Sequence, residues 1–163
     1  MARCQAHLGM RVGEVIALKI DDIDWRNATI RITGSKTRRG RVLPLLASVG
    51  RAIANYLRHG RPDTRCRHLF VRDTFPIGSQ VSHAIIIKSF ARAFAKVPGC
   101  EGWTCTHILR YTAASRLYRR GASLKAIADL LGHHCLDTTA MYTKVDQVGL
   151  AAVALPWPKE VQP

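Results

Sequence analysis

Apolar positions in the first segment recur at helical spacing. Leu8, Val15 and Leu18 form one stripe, which predicts a helix running through about Leu18. Arg11 falls on the same stripe, and an arginine on an apolar face calls for an anion. The period then shortens. Thr29-Ile30-Arg31-Ile32-Thr33 and Arg41-Val42-Leu43-Pro44-Leu45 read as two strands of a hairpin whose tip, Gly34 to Gly40, is basic. Helical spacing returns from about Leu46 to Arg58, followed by a Gly60-Arg61-Pro62-Asp63 loop and a short strand at His68-Leu69-Phe70-Val71. A helix near Ser82 to Lys96 stops at Pro98-Gly99. Thr106 is placed to cap a helix to Arg120, which Gly121 ends. Ser123 caps the next, whose Leu124, Ile127, Leu130 and Leu131 share a stripe before Gly132. Asp137 caps a short helix carrying Tyr142. The tail beyond Lys144 is weakly amphipathic and closes on Pro156-Trp157-Pro158, which cannot continue a helix. The pattern is α+β and mainly helical. With no internal repeat, 163 residues read as one domain over 1–163, with 144–163 as its C-terminal tail.

Charge changes the picture more than hydropathy does. A hydrophobic fraction of 47% fits a soluble globule, and no apolar run approaches the ~18 residues that span a membrane. Lys and Arg number 25 against 11 acids, a formal charge of +14, which points to a polyanionic partner. Nucleic acid fits better than a membrane surface, because the basic residues come in short clusters such as Lys36 to Arg41 and form no long amphipathic basic helix. The five cysteines, Cys4, Cys66, Cys100, Cys105 and Cys135, make an odd count without a regular framework, so a reduced cytoplasmic setting without disulfides is expected. Cys66-Arg67-His68 and His133-His134-Cys135 lack the spacing of a zinc site. Asp21, Asp22 and Asp24 read as a turn between helix and hairpin rather than as a magnesium site. No metal and no cofactor are expected.

His107 and Arg110 lie three apart, hence on one face of one helix, where both can point at a phosphate. Alone the pair says little. In the same chain stand Arg11 within Gly9-Met10-Arg11-Val12-Gly13-Glu14 and Lys36 eight residues before Pro44. His133 follows Leu131-Gly132, and Tyr142 closes Asp137-Thr138-Thr139-Ala140-Met141-Tyr142. These pieces, in this order, closely resemble the tyrosine recombinase or phage integrase family from about Leu8 to Tyr142. The resemblance implies an α+β, mainly helical catalytic-domain fold with a small antiparallel β-hairpin or sheet at one edge. It also implies site-specific breaking and rejoining of double-stranded DNA through a 3′-phosphotyrosyl bond, without cofactor. Tyr142 is then the nucleophile, and Arg11 and Arg110 clamp the non-bridging oxygens with donors that stay charged at any working pH. Lys36 donates the proton to the leaving 5′ oxygen, and His107 and His133 assist proton transfer or hydrogen-bond the phosphate.

Taken singly, each residue has a plainer reading. Arg11 could be salt-bridged to Glu14, Lys36 could be hairpin-tip charge, and His107 and His133 could be buried structural histidines. Tyr56, Tyr111 and Tyr118 are competing phenols that lack the motif spacing. The sequence departs from the family at Tyr111, where many members have histidine, and at His134, which doubles His133. Members normally carry a helical DNA-binding domain ahead of this one, and the chain starts ten residues before Arg11. A fragment of a longer integrase, exposing an apolar groove, or a chain that self-associates on DNA is therefore expected, of bacterial, phage or mobile-element origin. Two alternatives stay open: a type IB topoisomerase, and a catalytically silent DNA-binding remnant.

Overall fold

The computed structural model describes residues 1–34, 40–100, 102–103 and 106–132. Lys36 with the rest of the hairpin tip between Gly34 and Gly40, His133, the Asp137-capped helix with Tyr142 and the tail 144–163 lie outside the described residues.

The opening segment forms two helices where periodicity predicts one. Helix α1 (Ala2–Leu8) ends at Gly9, whose φ of 64° and ψ of 22° are left-handed, and α2 (Val12–Ala17) starts afresh with Arg11 as its N-cap. Gly9 meets two demands. Its conformation suits a residue without Cβ, and a Cβ there would sit 2.4 Å from Leu131 Cδ2. Arg11 is therefore a capping residue at a bend, and not a member of a continuous apolar stripe. The stripe residues themselves are buried, with Leu8, Val15 and Leu18 at 1–2% exposure.

After a 3-10 turn at Ile20–Asp22, strands β1 (Ile23–Asp24), β2 (Thr29–Ile32) and β3 (Arg41–Pro44) form an antiparallel sheet in that order. The predicted hairpin pairs Ile30 with Leu43 and Ile32 with Arg41. Ile30, Ile32 and Leu43 face the core, while Arg31 and Val42 face outward. The three aspartates expected in a turn are each engaged locally: Asp21 pairs with Arg67, Asp22 accepts the Lys19 N–H at 2.8 Å, and Asp24 binds Asn27.

Helix α3 (Ala47–His59) turns Val49 and Ile53 inward. Where the sequence predicts a strand at His68–Val71, the structure has two isolated bridges, Lys19 to His68 and Val71 to Gln80. Arg61 explains the difference. Its guanidinium takes the carbonyls of Cys66 (2.6 Å), His68 (3.1 Å) and Leu69 (3.2 Å), oxygens a neighbouring strand would otherwise occupy. Leu69, Phe70 and Val71 are buried nonetheless.

Helix α4 (His83–Phe94) is capped by Ser82, whose Oγ accepts from the Ile85 N–H. Helix α5 (His107–Arg119) begins after Thr106, which is buried but makes no side-chain cap bond, so it holds the predicted position without the predicted hydrogen bond. Helix α6 (Leu124–Leu131) is capped by Ser123 on the Ala126 N–H at 3.2 Å and ends on left-handed Gly132. Helix α5 packs against both α1 and α6, and the small Ala113 and Ala114 on its buried face permit the close approach. A groove of about 460 Å³, lined by Met1, Cys4, Val49, Ile53, Ile86 and Phe90 among others, opens between α1, α3 and α4. Among the described residues, no helix is long and apolar enough to cross a membrane.

Candidate active site

Three chain segments meet where α6 ends. The N-cap of α2 supplies Arg11, the inner face of β3 supplies Arg41, and the first turns of α5 supply Arg110. Arg110 is 3% exposed, and its Nη1 and Nη2 donate to the carbonyls of Gly9 (2.5 Å) and Leu131 (2.6 Å). Arg11 Nη2 donates to the next carbonyl, Gly132, at 2.8 Å. The two arginines expected to converge thus reach consecutive carbonyls of one helix end, where backbone partial charge favours cations. Bonds to neutral carbonyls orient a guanidinium without cancelling its charge.

One carboxylate stands beside this pair. Glu14 Oε1 lies 3.2 Å from Arg11 Nη1, and Glu14 Oε2 accepts the Arg11 backbone N–H at 2.8 Å. The plainer reading of Arg11 is therefore also realised: it is ion-paired within its own helix start. Glu14 has a second and better partner in Arg41, whose Nη1 and Nη2 take the two carboxylate oxygens at 2.8 and 2.9 Å while its Nε holds the Leu130 carbonyl at 2.9 Å. Burial alone would raise the Glu14 carboxyl. The Arg41 hydrogen bonds, the Arg11 backbone N–H and the charges of both arginines outweigh that and hold it below the ordinary carboxylate value.

Gly132 makes the assembly possible. Its φ is 64°, and a Cβ would come 3.0 Å from Arg41 Nη1 and 3.6 Å from Arg11 Nη1. His107 stands exposed at the first turn of α5, so it is not a buried structural histidine. The competing phenols are engaged in packing. Tyr111 and Tyr118 lie against the Ala114, Ile127 and Leu131 cluster, and Tyr56 Oη accepts the Val71 N–H at 3.2 Å. Among the described residues no group of histidine, cysteine or carboxylate side chains is placed to hold a metal. Sequence reading missed Arg41 as a member of this site. Its signal was available, since strand alternation puts Arg41 on the same face as buried Leu43.

A model of the phage integrase family matches residues 1–148. The chain is 44% identical over 158 residues to the provisionally named integrase/recombinase y4rA of Sinorhizobium fredii (strain NBRC 101917 / NGR234), a match covering 96% of this chain and 38% of that protein. It is similar to the crystal structure of XerA recombinase, with a TM-score of 0.79 and 28% identity over 92% of this chain and 52% of that one. Its TM-score is 0.74, also at 28% identity, to XerH site-specific recombinase bound to palindromic difH substrate in a post-cleavage complex, covering 97% of this chain and 45% of XerH. The chain thus spans about half, or less, of the length of each of these proteins.

Proposed function

The chain belongs to the phage integrase family and has the fold of its catalytic domains, and from that premise we propose that it is the strand-cleaving core of a site-specific DNA recombinase. Its substrate is double-stranded DNA, cut and rejoined through a 3′-phosphotyrosyl intermediate on Tyr142. The observation that carries this reading is the convergence of Arg11 and Arg110 on consecutive carbonyls at the end of α6, with His133 the next residue in the chain. Two guanidiniums fixed side by side stabilise the charge that gathers on the non-bridging oxygens as the phenol attacks. Lys36, on the hairpin that β2 and β3 form, protonates the leaving 5′ oxygen, and His107 and His133 assist proton transfer. The covalent bond conserves the phosphodiester energy, so a 5′ hydroxyl from another strand reseals the backbone without ATP.

Further copies of the chain assemble on the DNA in this reading, and the setting is the bacterial cytoplasm. XerH, captured on its DNA after cleavage, supports DNA as the partner. The packing roles of Tyr56, Tyr111 and Tyr118 support Tyr142 as the nucleophile. The test is a nicked suicide duplex of attachment-site DNA, read by denaturing gel for a protein–DNA adduct. Adduct is expected with the unaltered chain and with Tyr111→Phe and Tyr118→Phe. It is expected to vanish in Tyr142→Phe while DNA binding persists, and adduct in Tyr142→Phe would overturn the assignment.

A further inference from the structure

We propose that Arg41 is a positioning residue for strand cleavage: by occupying both oxygens of Glu14 it keeps that carboxylate from neutralising Arg11, and by holding the Leu130 carbonyl it ties the hairpin base to the end of α6. This inference rests on the recombinase reading above. Glu14 has two guanidinium neighbours and treats them unequally. Arg41 binds it as a fork, one nitrogen to each oxygen at 2.8 and 2.9 Å, the stronger geometry for an arginine and a carboxylate. The Arg11 side chain has one longer bond of 3.2 Å to the oxygen Arg41 already holds. With Arg41 in place, the Arg11 guanidinium keeps much of its charge and turns another nitrogen to Gly132.

Without Arg41 the cation left beside the carboxylate, among the described residues, is Arg11. Glu14 would then close on it and cancel charge that a phosphate would otherwise receive. The same side chain is a mechanical joint. Arg41 is the first residue of β3, directly after the hairpin tip that contains Lys36, and pairs with Ile32 across the sheet. Its Nε bond fixes that point against Leu130, three residues before His133.

The double variant isolates the charge role, because the tie to Leu130 is lost in both variants and accounts for whatever deficit remains. The rate of adduct formation on a nicked duplex is measured for the full chain at saturating DNA, with DNA affinity and thermal unfolding measured in parallel. Arg41→Ala is expected to slow the saturated rate by about tenfold or more with little change in affinity, the size of effect that loss of transition-state charge produces. Adding Glu14→Gln to Arg41→Ala removes the carboxylate that would have collapsed onto Arg11. The double variant is expected to recover to within about threefold of the unaltered rate. A residue that only held the fold together would leave the double variant as slow as Arg41→Ala or slower, and that result would overturn the proposal.

If Arg41→Ala unfolds, Arg41→Lys retains the charge but offers no fork. An adduct rate reduced by about threefold or more at near-normal melting temperature is then expected, and an unaltered rate overturns the proposal. An unaltered chain that reacts while Arg41→Ala reacts equally fast sinks the positioning role alone. No adduct from the unaltered chain sinks the recombinase reading and the role of Arg41 with it.

Discussion

Arg110 has a structural role beside the chemical one proposed for it. It is buried, and its two terminal nitrogens join the α1 end at Gly9 to the α6 end at Leu131. Arg110→Ala leaves two carbonyls short of donors and a void beneath them, so a loss of about 3 kcal/mol in unfolding stability is expected by urea titration. Arg110→Lys should fall between, because a single ammonium does not span two carbonyls in the guanidinium's fork geometry. Glu14 gives a pH signature. Its carboxyl lies below its ordinary value of 4.5 in the folded chain, so the unfolded state takes up the proton first. The stability this supplies is fully present above about pH 4.5 and is lost as pH falls through the lower native value. Unfolding free energies compared between pH 6 and pH 3 should decline less in Glu14→Gln than in the unaltered chain, and equal declines would contradict the assignment.

Among elements, the break between α1 and α2 is the feature periodicity misplaces. Leu8, Val15 and Leu18 satisfy a helical period across the bend because all three point into one core, and a period does not report whether the backbone between them is continuous. The left-handed Gly9 does. Gly9→Ala meets both an unfavourable φ and the Leu131 side chain at 2.4 Å, and a cost of about 2–3 kcal/mol is expected in thermal or urea unfolding. Because Gly9 also presents its carbonyl to Arg110, adduct formation should fall in the same variant. The caps were legible only in part. Ser123 bonds the helix start it was expected to cap, Thr106 holds its position without a side-chain cap bond, and Ser82 caps α4 without having been singled out for it; Ser123→Ala should cost about 1 kcal/mol.

At the scale of the molecule, one core gathers α1 to α4 and the sheet, and a smaller cluster of Ala114, Ile127 and Leu131 joins α5 to α6. The arginine site lies where Gly9, next to Met10 of the first cluster, meets Leu131 of the second. In the proposed function, stability and activity are therefore coupled there. A formal charge of +14 makes phosphate neutralisation the main source of DNA affinity in the proposed function. Filter-binding or anisotropy titrations should show log Kobs falling steeply and linearly with log salt, by about three orders of magnitude or more between 50 and 200 mM for six or more phosphate contacts. Tight, sequence-specific binding that ignores salt would contradict this.

Period and turn signals were enough to determine the class of fold, the hairpin and the Ser123 cap, and motif resemblance was enough for the family, because each depends on residues near one another in the chain or on motifs that short segments carry whole. The hairpin pairs Thr29 with Pro44 and Ile32 with Arg41, which keeps Ile30, Ile32 and Leu43 on one face. Contacts between distant segments were not legible in the same way. Glu14 and Arg41 are 27 residues apart and Arg11 and Gly132 are 121 apart, and no local pattern says that a carboxylate has two arginines to choose between. Nor does a run such as His68–Val71 reveal that Arg61 will take its carbonyls. Those choices belong to the folded chain, where burial removes water as a competitor and leaves each charge and each backbone oxygen to whichever partner the packing brings within reach.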